Sequence, residues 1–276
     1  MIEDILVNLS VGQGSGAATD YAVSVAATFD AHLAGVAFAY DPVTPVSSAG
    51  YLPAEVVEAQ ARDSIAAAKN AASHFTETCK RAGVSGEPLT LNASYGGVAG
   101  QFGRLARRFD FAIVGQAEPD TDSLDEFIGE AALFEGGRPV IIVPYIQKAP
   151  LELDQVMVCW DGSRAATRAI ADAMPLLKRA GRVEVLIVGN ERGKHDEVEG
   201  ADMGAHLARH GLNLEIKRIQ IGDIDVADVI LSHAADAGTN FIVMGGYGHS
   251  RLREFVLGGV TRTILRSMTV PVLMSH

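Results

Sequence analysis

Two tandem α/β units, each a five-stranded parallel sheet wound on both faces by helices, are what this 276-residue sequence predicts. Three observations predict that doubly wound fold class. The same order of segments occurs twice, the strand-like runs are short and apolar on both sides, and helical patterns separate them. Parallel strands buried on both faces read as near-continuous apolar runs, and each crossover between them needs a helix.

The first copy opens with Ile5-Leu-Val-Asn-Leu9, matched in the second by Val156-Met-Val-Cys-Trp160. Leu33-Ala-Gly-Val-Ala-Phe38 answers to Val183-Glu-Val-Leu-Ile-Val188, and Leu89-Thr-Leu-Asn-Ala93 to Leu214-Glu-Ile-Lys-Arg-Ile219. Phe111-Ala-Ile-Val-Gly115 pairs with Phe241-Ile-Val-Met-Gly245, and Arg138-Pro-Val-Ile-Ile-Val143 with Val270-Pro-Val-Leu-Met274. Helical periodicity fills the gaps at 17–28, 54–82 and 98–108, then at 164–180, 198–210 and 225–237, with a further helix opening near Gly259. The stretch from Pro144 to Asp154 is polar and broken by Pro144 and Pro150. It reads as a linker, with the boundary near Ala149 and domains at 1–148 and 149–276.

Composition narrows the function. A 48% hydrophobic content can bury a core, and a net charge of -11 argues against a nucleic-acid partner. An anionic ligand would need local backbone amides and a few arginines instead. Cys79 and Cys159 are the two cysteines and show no metal-like or redox-like spacing, which predicts a reducing, cytoplasmic setting. The opening Met1-Ile-Glu-Asp-Ile-Leu-Val carries acids rather than a basic leader, and no apolar run reaches the roughly 18 residues of a membrane span. A soluble, unprocessed chain is expected.

In open α/β sheets the ligand crevice lies beyond the carboxyl ends of the strands, where connections leave in opposite directions. In the second copy those ends carry Trp160 and Asp161, Val188 and Gly189, and the stretch Met244-Gly-Gly-Tyr-Gly-His-Ser-Arg-Leu-Arg-Glu-Phe-Val-Leu-Gly-Gly-Val260. Gly245, Gly248, Gly258 and Gly259 have no Cβ, so the backbone can lie against a ligand, and the helix that follows offers unpaired N–H groups to a phosphate. No Gly-Lys-Ser/Thr follows a G-x4 run, so this is not a Walker loop. It follows the fourth strand rather than the first, so it is not a dinucleotide fingerprint either.

Asp161 has two compatible readings: a carboxylate accepting from the amino group of a base, or, with Ser163, a cap for the helix near Arg164. Trp160 alternates to the face opposite Asp161 and is expected in the core. Arg251, Arg253, Arg262 and His249 flank the loop and read chiefly as solvated surface. His206 and His210, with Asp202 on the same helical face, have metal-capable spacing but no third ligand in a recognisable motif, so no metal site is assigned. No nucleophile–base–acid order is evident, and no residue demands catalysis. The first copy carries Gly12-Gln-Gly-Ser-Gly16 after its opening strand, but its fourth strand runs into Gln116-Ala-Glu-Pro-Asp-Thr-Asp-Ser-Leu-Asp-Glu126. Acids there repel a polyphosphate, so the first copy is expected not to bind ATP.

The spacing Gly245-x2-Gly248-x9-Gly258, together with Asp161, resembles the ATP-binding signature of the universal stress protein family. The two-copy layout resembles that family's tandem members. The resemblance implies a Rossmann-like fold in each half and an adenine nucleotide, ATP, ADP or AMP, in the second, with Mg2+ accompanying the phosphates. Asp161 and Val188 would meet adenine, Met244, Gly245, Gly248, Gly258, Gly259 and Val260 the ribose and phosphates, and Cys159 would line the pocket where the family often has proline. Gly259 departs from the family's Ser or Thr. The lost hydroxyl removes a contact of about 1 kcal/mol and implies weaker binding or a shift toward AMP or ADP. The family also implies a stress-regulatory role and dimerisation through the fifth strand, so that 140–143 and 272–274 would pair within this chain and leave another surface for a homodimer. Slow ATP hydrolysis and a nucleotide-free interaction scaffold are the alternatives.

Overall fold

In the computed structural model the described residues are 1–11, 16–41, 54–119, 124–189, 194–222, 224–246 and 259–276. The chain divides into two compact units, Ile2–Arg138 and Pro139–His276.

In the first unit, strands β1 (Asp4–Asn8), β2 (His32–Asp41), β3 (Gly86–Ser94) and β4 (Phe111–Gly115) lie in the order β3-β2-β1-β4. The pairings of β1 with β2 and β4, and of β2 with β3, are parallel. Helices α1 (Ala17–Phe29) and α2 (Ala54–Ala82) pack together, as do α3 (Val98–Ala106) and α4 (Asp125–Gly136). The central strands are buried along their length: Ile5, Leu6, Val7, Ala112, Ile113 and Val114 have no exposed surface. That is why they read as unbroken apolar runs. Helix α2 is different. Of its 29 residues only Ala68, Phe75, Thr78 and Cys79 are buried, a narrow stripe that docks its C-terminal half. Small residues set the approach of α3 and α4, since a Cβ on Gly103 would stand 2.7 Å from the Ala131 carbonyl oxygen.

The second unit repeats the plan with β6 (Gln155–Cys159), β7 (Arg182–Gly189), β8 (Leu214–Gln220), β9 (Phe241–Gly245) and β10 (Val272–Ser275). Helices α5 (Arg164–Leu177), α6 (Lys194–Arg209), α7 (Val226–Asp236) and α8 (Gly259–Ser267) connect them. Strand β5 (Val140–Val143), which the repeat assigns to the first copy, lies in this unit and extends its sheet to β5-β10-β9-β6-β7-β8. All pairings are parallel except β5 with β10, where Val272 faces Ile142, Leu273 faces Ile141 and Met274 faces Val140. The expected pairing of 140–143 with 272–274 is therefore present.

Two expectations need correction. The first strand of the second unit stops at Cys159, one residue short of Trp160, and Trp160 is half-buried rather than in the core. Its N–H still donates to the Leu186 carbonyl at 2.9 Å, so the residue continues the ladder by one hydrogen bond past the end of β6. Helix α4 occupies a stretch for which no helix was expected.

Candidate functional site

The second unit's strands reverse direction of winding between β6 and β9: β6 leads through α5 to β7 on one side, and β8 leads through α7 to β9 on the other. A crevice is expected beyond the carboxyl ends of those two strands. Register shapes it. Cys159, the last residue of β6, pairs with Leu186, while β7 continues to Gly189. On the other flank β9 runs past its β6 partners, with Met244 and Gly245 paired to Met274 and Ser275 instead. The central strand stops short of both neighbours and leaves a notch between them.

Asp161 enters that notch on an exposed turn. Its Oδ1 accepts from the Ser163 N–H at 2.9 Å, and Gly162 between them takes a φ of 74°, the left-handed region that glycine adopts without strain. The helix cap is Ser163, whose hydroxyl accepts from the Ala166 N–H at 3.1 Å. The turn thus leaves capping to the serine and keeps the aspartate exposed just beyond the end of β6.

Cys159 lies on the floor beneath. Burial pushes its thiol up to about 12, with the Asp161 and Glu184 carboxylates adding to the shift. Both nearby charges are negative, and a thiolate would have to form beside them in a desolvated place. A neutral thiol is a poor nucleophile. At pH 8, native Cys159 should react with iodoacetamide roughly a thousandfold more slowly than a thiol of unshifted pKa. Cys79, raised by burial to about 11, should also be slow, so rapid labelling of either would contradict the burial described.

Val188 stands half-exposed on β7 beyond the end of β6. Met244 buries its side chain, 5% exposed, so only its backbone can serve the crevice. Gly245 has a packing reason to be glycine. A Cβ there would lie 2.5 Å from the Ala166 nitrogen and 2.7 Å from the Ala165 carbonyl carbon, both backbone atoms of the first turn of α5. Gly245→Ala should therefore cost about 1–3 kcal/mol in urea unfolding, because a helix must move. An unchanged midpoint would contradict that contact.

Gly259 is the first residue of α8, with open space around the position of its absent Cβ; Val260 follows, half-buried, and Arg262 is exposed. Gly248, Gly258, His249, Arg251 and Arg253 lie outside the described residues. His206 and His210 approach edge to face with ring centroids 4.8 Å apart.

Sequence reasoning missed two features. The Gly246 N–H donates to the Ser275 carbonyl at 2.8 Å, and its carbonyl is met by the His276 Nδ1 at 3.1 Å. The main-chain groups of Gly246 are thereby engaged by Ser275 and His276. The other is the buried pair of Glu184 on β7 and His233 on α7, 2.7 Å apart. A single acid inside the apolar run Val183 to Val188 was its signal, because a buried carboxylate requires a partner.

Residues 152–276 match the model of the universal stress protein family. A universal stress protein of Synechocystis sp. is 27% identical over 139 residues, covering 49% of this chain and 46% of that protein, so the match spans under half of the relative's length. Among solved structures, a universal stress protein from Archaeoglobus fulgidus superimposes with a TM-score of 0.70 at 16% identity, covering 98% of this chain and 94% of that one. A functionally unknown protein from Pseudomonas aeruginosa PAO1 does so with a TM-score of 0.63 at 14% identity, covering 99% and 92%. These likenesses show the fold across the chain, and residues 152–276 are similar to the universal stress protein family.

Proposed function

We propose that the second unit binds an adenine nucleotide, ATP, ADP or AMP, and that the protein is a cytoplasmic stress-response regulator that changes shape or partner on binding. The observation that carries the reading is Asp161 held exposed on the β6 turn while Ser163 caps the helix. Supporting it are the similarity of residues 152–276 to the universal stress protein family, the Gly245-x2-Gly248-x9-Gly258 spacing, and the position of Val188 beyond the end of β6. The adenine would lie between Asp161 and Val188 over Cys159, with phosphates toward Gly248, Gly258, Gly259 and Val260 and Mg2+ on the phosphates. The functional repeats are taken as 1–148 and 149–276, with the boundary near Ala149. Because β5 and β10 already pair, homodimerisation would use another surface.

A nucleotide-free scaffold is the second reading, favoured by Gly259 in place of a hydroxyl residue and by the engaged groups of Gly246. Asp161→Ala should weaken nucleotide binding roughly tenfold to hundredfold, the range for a lost hydrogen bond to a charged group. Fluorescence anisotropy of a labelled ATP analogue measures it, and equal affinity in wild type and variant would remove Asp161 from the site. Phosphate release compared among wild type, Gly248→Val and Asp161→Ala separates regulator from slow ATPase. Equal release from all three is expected, and release lost in both variants would favour the enzyme.

A further inference from the structure

The first unit builds its crevice from the same element ends as the second: the carboxyl ends of β1 and β4 and the start of α4 stand where the repeat places β6, β9 and α8. A side chain of the unit itself spans these ends. Asn8, the last residue of β1, is 4% exposed, and its Nδ2 donates to Asp125 Oδ1 at 3.0 Å. Asp125 opens α4, and its Oδ2 lies 4.0 Å from where a Cβ on Gly115, the end of β4, would sit. Glu126 adds a second acid to the same turn, and Gln116, next after β4, is 5% exposed. One carboxylate therefore bridges the two diverging strands and the helix start, which is the position an external anion takes in a fold of this kind.

We propose that Asp125 is an internal anion that occupies the first crevice and closes it to phosphate-bearing ligands. The physical reasons are threefold. The partial positive charge of a helix start is compensated by one carboxylate. The buried Asn8 amide has its donor satisfied there. A phosphate arriving beside Asp125 and Glu126 would meet like charge. This goes beyond the nucleotide reading of the second unit and does not depend on it.

The test counts phosphate sites in the full-length chain by calorimetry, with inorganic phosphate and ATP as probes and circular dichroism as the check on folding. Asp125→Ser removes the carboxylate and leaves the Asn8 donor facing the crevice. It should gain one saturable site per chain over wild type, binding phosphate roughly tenfold or more tightly than wild type does there. Adding Asn8→Asp to that variant should abolish the gain by restoring a negative charge. A folded Asp125→Ser variant with the wild-type number of sites would overturn the proposal, as would a wild type that already fills two. Should Asp125→Ser fail to fold, Asp125→Asn keeps the shape without the charge and must also gain phosphate binding. Because the gain is counted relative to wild type, it reads the same way whether the second unit binds one nucleotide or none.

Discussion

Phe75→Ala is expected to destabilise the first unit by about 3–5 kcal/mol, the upper part of the range for large-to-small core changes. The ring has no exposed surface and belongs to the few residues that dock α2. It fills a pit made by two glycines on neighbouring strands. A Cβ on Gly35 would stand 2.9 Å from three of its ring carbons, and one on Gly86 3.4 Å from its Cζ. With no side chains on the pit floor to relax inward, the cavity left by truncation cannot collapse, and the cost of unfilled volume is added to the lost burial. Gly35→Ala should be destabilising by itself and should recover part of the loss when combined with Phe75→Ala. Urea unfolding of the four proteins gives the coupling, and strictly additive effects would contradict the contact.

Glu184→Ala should cost about 1–3 kcal/mol, the range for leaving a nearly buried hydrogen-bonding group without its partner. The side chains are nearly enclosed, 9% exposed for Glu184 and 17% for His233, and the truncation takes away the carboxylate that His233 Nε2 meets at 2.7 Å. Glu184→Gln retains an acceptor oxygen and should cost less than Glu184→Ala. A second readout separates charge from packing. Glu184 is one of the carboxylates holding the Cys159 thiol high, so neutralising it should lower that pKa from its value of about 12 and quicken labelling at high pH. Equal stability of Gln and Ala variants with unchanged labelling would sink this account of the pair.

The strands were readable because burial on both faces leaves no polar alternation, as in Phe111 to Val114 or Val156 to Val158. Their ends were less so. Strand β2 pairs with β3 from Leu33–Gly86 through Asp41–Ser94, carried by main-chain hydrogen bonds beyond the apolar stretch of each. Helix α4 escaped because it exposes Phe127 and Phe134 and buries Gly129 and Gly136, which blurs the helical period. Trp160 was placed in the core by extending alternation past a strand that stops at Cys159.

At the site, the spacing of Asp161 from the strand end was visible, but the division of labour with Ser163 required coordinates. Gly245 looked like a ligand-facing glycine, and the structure adds a demand from α5 that no sequence pattern announces, because the contacting residues lie nearly 80 positions away. The engagement of Gly246 by Ser275 and His276 is hidden for the same reason: it depends on the β9–β10 register.

The most direct test of the nucleotide reading is calorimetric titration of the full-length protein with ATP, ADP and AMP in the presence of Mg2+. The account predicts saturable heat for at least one of the three at one site per chain, diminished in Asp161→Ala. No heat from any of them with properly folded protein would contradict it.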